Sequence, residues 1–90
     1  MAVTNADVVD MLKELAELTI LEEGDPQSFR VRAYESAWHA VEGHGADVAR
    51  LSATELQKIQ GIGKSTATKI REMVEGGRVA KLEELRAKHP

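Results

Sequence analysis

An all-α fold, a compact bundle of four to five short helices, is what this sequence predicts, and three observations predict it. Apolar residues recur at spacings of three and four along most of the chain, no run alternates apolar with polar residues as a half-buried strand does, and Gly, Pro or Ser separates the periodic stretches. With 90 residues, 42% apolar content and no cysteine, there is material for one hydrophobic core and none for a disulfide framework or a thiolate zinc site. A single domain spanning residues 1–90 is expected.

Val8, Met11, Leu12, Leu15 and Leu18 fall on one face of a helix predicted from about Asn5 to Leu21. Thr4 and Asp7 have the spacing of a capping box at its start, and Glu22-Glu23-Gly24-Asp25-Pro26 ends it. A second helix is predicted from about Gln27 to Glu42, with Phe29, Ala33, Tyr34, Ala37, Trp38 and Val41 on its apolar face and Gly43 and Gly45 closing it. Ser52 three residues before Glu55 is a second capping box, heading a short third helix over about 53–59. Gly61-Ile62-Gly63 breaks the chain. Ala67, Ile70, Met73 and Val74 then resume helical spacing until Gly76-Gly77, and Val79, Leu82 and Leu85 mark a fifth helix ending near His89-Pro90.

Charge is distributed unevenly. The net charge is -3, yet residues 1–50 carry four basic and ten acidic side chains while residues 51–90 carry eight basic and five acidic ones. This implies a positive patch on an acidic body. Charges interrupt every apolar run well short of the roughly 18 residues a membrane span needs, so no membrane association is expected. The amino-terminal segment lacks the basic-then-apolar order of a signal peptide, and the expected location is cytoplasmic. The acidic first helix reads as a solvated surface.

The stretch from 53 to 77 is the most informative. Two helices joined by Gly-Ile-Gly must pack directly on each other, with Ile59 and Ile62 filling the space between them. Gly61 and Gly63 have access to backbone angles closed to residues with a Cβ, and they leave the main chain open to another molecule. The amides around Gly61, Gly63, Ser65 and Thr66 lie at the start of the following helix, where they lack intrahelical acceptors and the helix dipole favours an anion. That describes a phosphate seat, with Lys64 at its edge and the Ser65 and Thr66 hydroxyls as further donors. Lys58, Lys69 and Arg71 add positive charge nearby.

Ile59-Gln60-Gly61-Ile62-Gly63-Lys64-Ser65-Thr66-Ala67-Thr68-Lys69-Ile70 resembles a helix-hairpin-helix DNA-binding motif. Over nearly the whole chain, through Asn5–Leu18, Phe29-Arg30-Val31-Arg32-Ala33-Tyr34, the hairpin and Gly77–Leu85, the sequence is similar to the amino-terminal, lyase-type domain of the family X DNA polymerases (polymerase beta-like). The resemblance implies sequence-independent binding of the DNA backbone by Gly61, Ile62, Gly63, Lys64, Ser65 and Thr66, at gaps or 5′-phosphorylated ends in DNA repair. It implies phosphate-pocket roles for Arg30 and Tyr34. It also implies a monovalent cation, Na+ or K+, on the backbone carbonyls of Gln57, Ile59 and Ile62, and no other cofactor. Lys69 falls at the position of the family's Schiff-base lysine, which attacks the aldehyde of an abasic sugar; Lys64 or Arg30 is expected to help keep that amine neutral. The chain departs from the family at Ser65, where a second phosphate-binding lysine is usual, at Phe29, which replaces a histidine that stacks on a base, and at Glu35, which replaces an arginine.

Three functional classes stay open on these residues: a DNA-binding module, an abasic-site or deoxyribose-phosphate lyase acting through Lys69, and a helical protein-interaction module. Gly63-Lys64-Ser65-Thr66 is not the tail of a nucleotide-binding loop, because the glycine that motif demands five positions earlier is Lys58 and no strand precedes it. His39, Glu42 and His44 lack a known metal-ligand spacing. Ninety residues cannot hold a nucleotidyl-transfer domain, so this chain alone is no polymerase. It is expected to act as a monomer.

Overall fold

Thr4, in an extended conformation, begins the first helix by accepting the Asp7 N–H on its hydroxyl at 3.1 Å while the Asp7 carboxylate accepts the Thr4 N–H at 2.9 Å. A reciprocal cap of this kind contributes about 1 kcal/mol. The computed structural model describes residues 2–90, and its helices are α1 (Asn5–Glu23), α2 (Phe29–Glu42), a 3-10 turn (Val48–Arg50), α3 (Ala53–Gln57), α4 (Lys64–Gly76) and α5 (Ala80–Lys88). No strand occurs among the described residues.

α1 and α2 form the helix pair that carries most of the packing, and α5 lies against α1 while α3 and α4 pack on each other. Leu12 and Leu15 from α1, Val31, Ala37 and Val41 from α2, Leu56 from α3, Ile70 from α4 and Leu85 from α5 meet in one core at 0 or 1% exposure. Burying one such leucine contributes roughly 2 kcal/mol, so the shared core, more than any single cap, holds five short helices together. Ile62 is buried between the hairpin helices and Ile59 half-buried beside it.

The second helix starts later than its apolar pattern implies. Asp25 Oδ1 accepts the Gln27 N–H at 2.8 Å, which holds Gln27 in a turn, and the Ser28 hydroxyl caps the helix from outside. Phe29, expected on the apolar face, is in the first turn and is 87% exposed. Trp38 is only half-buried, with the Lys13 ammonium 5.9 Å from its ring centroid. α3 ends at Gln57, two residues before the expected limit.

The 3-10 turn has no periodic signature in the sequence and is held by distant side chains. Asn5 donates to the Ala46 carbonyl at 2.9 Å and accepts from the Val48 N–H at 3.0 Å; Arg71 Nη1 donates to the Ala49 and Leu51 carbonyls, both at 3.0 Å. The acidic α1 is also more than a solvated face, since Glu14 takes two 2.6 Å bonds from Arg86 and fixes α5 to it.

Candidate functional site

The hairpin is built around one glycine. Gly61 has φ +103°, the left-handed region that L side chains rarely adopt, and a Cβ there would lie 3.0 Å from the Ser36 carbonyl oxygen and 3.3 Å from the Ala40 Cβ. The loop thus rests backbone-first on α2. Gly63 corrects the sequence-based expectation: its φ of -90° and ψ of 179° are ordinary extended backbone, and a Cβ would meet nothing within 4 Å. No strain requires glycine at 63. A bare Cα at that position leaves the main chain of the α4 start uncovered.

α1, α2 and α3 each begin under a hydroxyl that occupies one of their amides, from Thr4, Ser28 and Ser52. α4 begins under Gly63 and has no side-chain cap. Its first main-chain bond runs from the Ala67 N–H to the Gly63 carbonyl at 2.9 Å, so the amides of Gly63, Lys64, Ser65 and Thr66 have no acceptor among the described residues. Four free donors at the positive end of a 13-residue helix favour an anion there.

Beside this helix start is a pocket of about 380 Å³, walled by α2 through Arg30, Ala33 and Tyr34, by α4 through Ser65, Thr66 and Lys69, and by Lys81 of α5, with Phe29 at its edge. Of the residues the sequence singles out, Arg30, Tyr34, Ser65, Thr66 and Lys69 meet in this one place. Three cationic side chains line it and no carboxylate does; Glu23, 4.0 Å from Arg30, and Glu84, 2.8 Å from Lys81, stand outside the lining.

Lys69 is half-buried rather than freely solvated. Its Nζ donates to the Ser65 hydroxyl at 2.8 Å and stands 6.0 Å from the centroid of the Tyr34 ring. Burial pushes its amine below the ordinary lysine range; Glu72 opposes this, and Lys81 and Arg30 add to it. Lys64, expected to share that role, is exposed outside the pocket, and Lys81, absent from the sequence-based set, takes its place. Burial raises the Tyr34 phenol, against the pull of Lys81 and Arg30 and with the help of Glu23.

Lys58 and Lys64 flank the hairpin, the first capping α3 and the second opening α4; both are exposed, and no carboxylate lies within ion-pair distance of either among the described residues. Arg71 departs from its expected place. Its guanidinium turns to the 3-10 turn, where two carbonyls and Glu75, 3.8 Å away, engage it. The carbonyls of Gln57 and Ile62 accept no hydrogen bond among the described residues, while that of Ile59 accepts the Ile62 N–H at 3.1 Å and keeps one lone pair. Oxygen donors of this kind suit a hard cation. His39 pairs with Glu42 at 3.4 Å, and no cluster of metal-ligating side chains occurs among the described residues.

No helix among the described residues is long and apolar enough to cross a membrane. Comparison with curated proteins and with solved structures finds no match. The sequence model of a helix-hairpin-helix domain matches residues 3–79, a span that includes α1 to α4, the uncapped α4 start and the α2 and α4 walls of the cationic pocket, and the chain belongs to the helix-hairpin-helix domain family.

Proposed function

We propose that this chain is a sequence-independent DNA-binding module that seats a backbone phosphate on the free amides of α4, acting as a monomer at gaps or 5′-phosphorylated ends in DNA repair. The observation that carries this reading is the joining of four unpaired amides to a pocket with three cations and no lining carboxylate. Gly61, Ile62, Gly63, Lys64, Ser65 and Thr66 supply the seat, Lys58 and Lys64 contact flanking phosphates, and Arg30, Tyr34, Lys69 and Lys81 receive a terminal one. Amides and lysines aimed at phosphate carry no base readout. The similarity to family X DNA polymerases supports the preference for gaps. Gln57, Ile59 and Ile62 would hold Na+ or K+ on their carbonyls, adding a positive charge for a phosphate oxygen to meet.

The test is fluorescence anisotropy on gapped, 5′-phosphorylated duplex and on intact duplex across a salt series. With three or four phosphates neutralised, the slope of log K against log salt is expected near about -3, with tighter binding to the gap. Salt-independent binding, or none at low salt, overturns the reading.

A half-buried lysine with a lowered pKa favours a second reading, deoxyribose-phosphate lyase activity through Lys69. The neutral Nζ lone pair bonds to C1′ of the open-chain sugar as the carbonyl π pair moves to oxygen and takes a proton. Loss of that oxygen as water leaves a protonated imine. A water molecule takes a C2′ proton, and the freed pair forms the C2′=C3′ double bond as the C3′–O bond breaks and its pair leaves on the phosphate of the 5′-phosphorylated strand. Water then hydrolyses the imine to an unsaturated aldehyde and free Lys69. Borohydride reduction should trap the imine as a covalent adduct that Lys69→Ala lacks.

A further inference from the structure

Ser65 stands where the family the sequence resembles usually has a phosphate-binding lysine, and the structure gives it a bond that a lysine there could not make. We propose, building on the lyase reading, that Ser65 is the positioning residue for Lys69: its hydroxyl, 2.8 Å from Nζ, ties the amine to the same helical turn that seats the phosphate. A lysine carries four rotatable bonds and has more rotamer freedom to lose when fixed than most side chains. An unanchored amine would sample much of the roughly 380 Å³ pocket, and only the part near the sugar carbon is productive. Ser65 and Lys69 are four residues apart on α4 and so share a face.

A hydroxyl accepts and donates at once. While its oxygen accepts from Lys69, its proton remains available to a phosphate oxygen at the α4 start, where the Ser65 N–H is already free. Phosphate and amine are thereby referred to one atom. A lysine at 65 would serve the phosphate but, having no acceptor, could not hold the amine.

This anchoring has an electrostatic side with a definite sign. An acceptor on Nζ favours the ammonium form, together with Glu72 on α4, against burial and against Lys81 of α5 and Arg30 of α2; Tyr34 of α2, whose phenol titrates above its ordinary range, presents its ring to the amine. Removing the hydroxyl therefore makes the amine easier to deprotonate and harder to aim. Loss of local structure does the reverse to the titration, returning the amine upward to the ordinary lysine range.

The experiment compares the parent, Ser65→Ala and Ser65→Thr by 15N-edited NMR titration of the Lys69 side chain and by borohydride trapping at saturating gapped duplex bearing a 5′-deoxyribose phosphate. Ser65→Ala is expected to move the Lys69 titration to lower pH and, at saturating duplex, to slow trapping about tenfold. Ser65→Thr should restore both. A Ser65→Ala protein that titrates and traps like the parent overturns the proposal, as does a titration that moves upward. If the titration moves down while the parent itself gives no adduct, the hold of Ser65 on the amine stands and the lyase reading falls.

Discussion

α5 contributes to two clefts of similar size that differ in how their charges are matched. The cleft between α1 and α5, about 300 Å³, is lined by Asp7, Asp10, Glu14, Arg78, Glu83 and Arg86 among others, and its arginines are committed: Arg86 gives two 2.6 Å bonds to Glu14, and Arg78 gives bonds of 2.8 and 2.9 Å to Glu83. The cleft between α2 and α4, about 380 Å³, has Arg30, Lys69 and Lys81 on its wall and no carboxylate. A ligand entering the first must displace an ion pair within the lining. In the second, the partners of Arg30 and Lys81 stand outside the lining and Lys69 has no ion pair among the described residues, so an entering anion meets cations only. Density of charge does not make a site. A lining without carboxylates does, which is why an acidic chain of net charge -3 can still present a seat for phosphate.

The contrast breaks most severely if the walls of the cationic cleft are moved. Gly61→Val places a branched side chain against the Ser36 carbonyl and the Ala40 methyl at a positive φ, and thermal denaturation should show a loss of about 3 kcal/mol, with DNA binding lost alongside. Gly63→Val, in ordinary backbone and open space, should melt within about 2 °C of the parent yet bind DNA roughly tenfold more weakly, because it crowds the approach to the α4 amides. Equal losses of stability in the two variants would contradict the geometry described.

A paired comparison sharpens the contrast at constant net charge. Arg30→Ala with Lys81→Ala, and Arg78→Ala with Arg86→Ala, each remove two positive charges. The first pair should weaken DNA binding about thirtyfold at low salt and the second by no more than about twofold, read by anisotropy under identical conditions. Similar losses would mean that overall charge, not the cationic cleft, governs binding.

The smallest effect belongs to the matched cleft. The hydrogen bonds from Arg86 hold the Glu14 carboxyl below the ordinary glutamate range, against a smaller opposing push from burial. A carboxyl with a depressed folded pKa contributes stability that is present above its unfolded value and lost as pH falls through the folded one. Glu14→Gln should therefore flatten the acid side of a melting-temperature profile, by only about 1 to 2 °C because the pair is solvent-screened.

Much of the fold was legible because its signals are local. Thr4 with Asp7 and Ser52 with Glu55 act within one helical turn, and the cores of α1 and α4 follow from spacing alone. Features decided by distant partners were not. The 3-10 turn depends on Asn5 and Arg71, residues 41–43 and 20–22 positions away in sequence, so no window around Val48 contains its cause. For the same reason Arg71 looked like a free cation. Lys81 entered the site unannounced because only the return of α5 brings it beside Lys69, and its i,i+3 partner Glu84 marks it in sequence as an ordinary surface lysine. Gly61 and Gly63 looked alike in a Gly-x-Gly pattern; what separates them is the α2 backbone, which lies against one and not the other.

That contact also sets a dimension. Arg30 lies six residues, roughly 9 Å, along α2 from Ser36, and Lys69 and the free amides across from it belong to α4, the helix that follows the Gly61 turn. The gauge of the cleft is thus fixed by main chain resting on main chain, a joint without rotamers to relax. It works like a jaw with a welded hinge: side chains on the rim can reorient around a guest, but the span between the walls is inherited from the seam at Ser36 and Ala40. A single methyl added or removed at position 40 is the finest adjustment the architecture offers to that span.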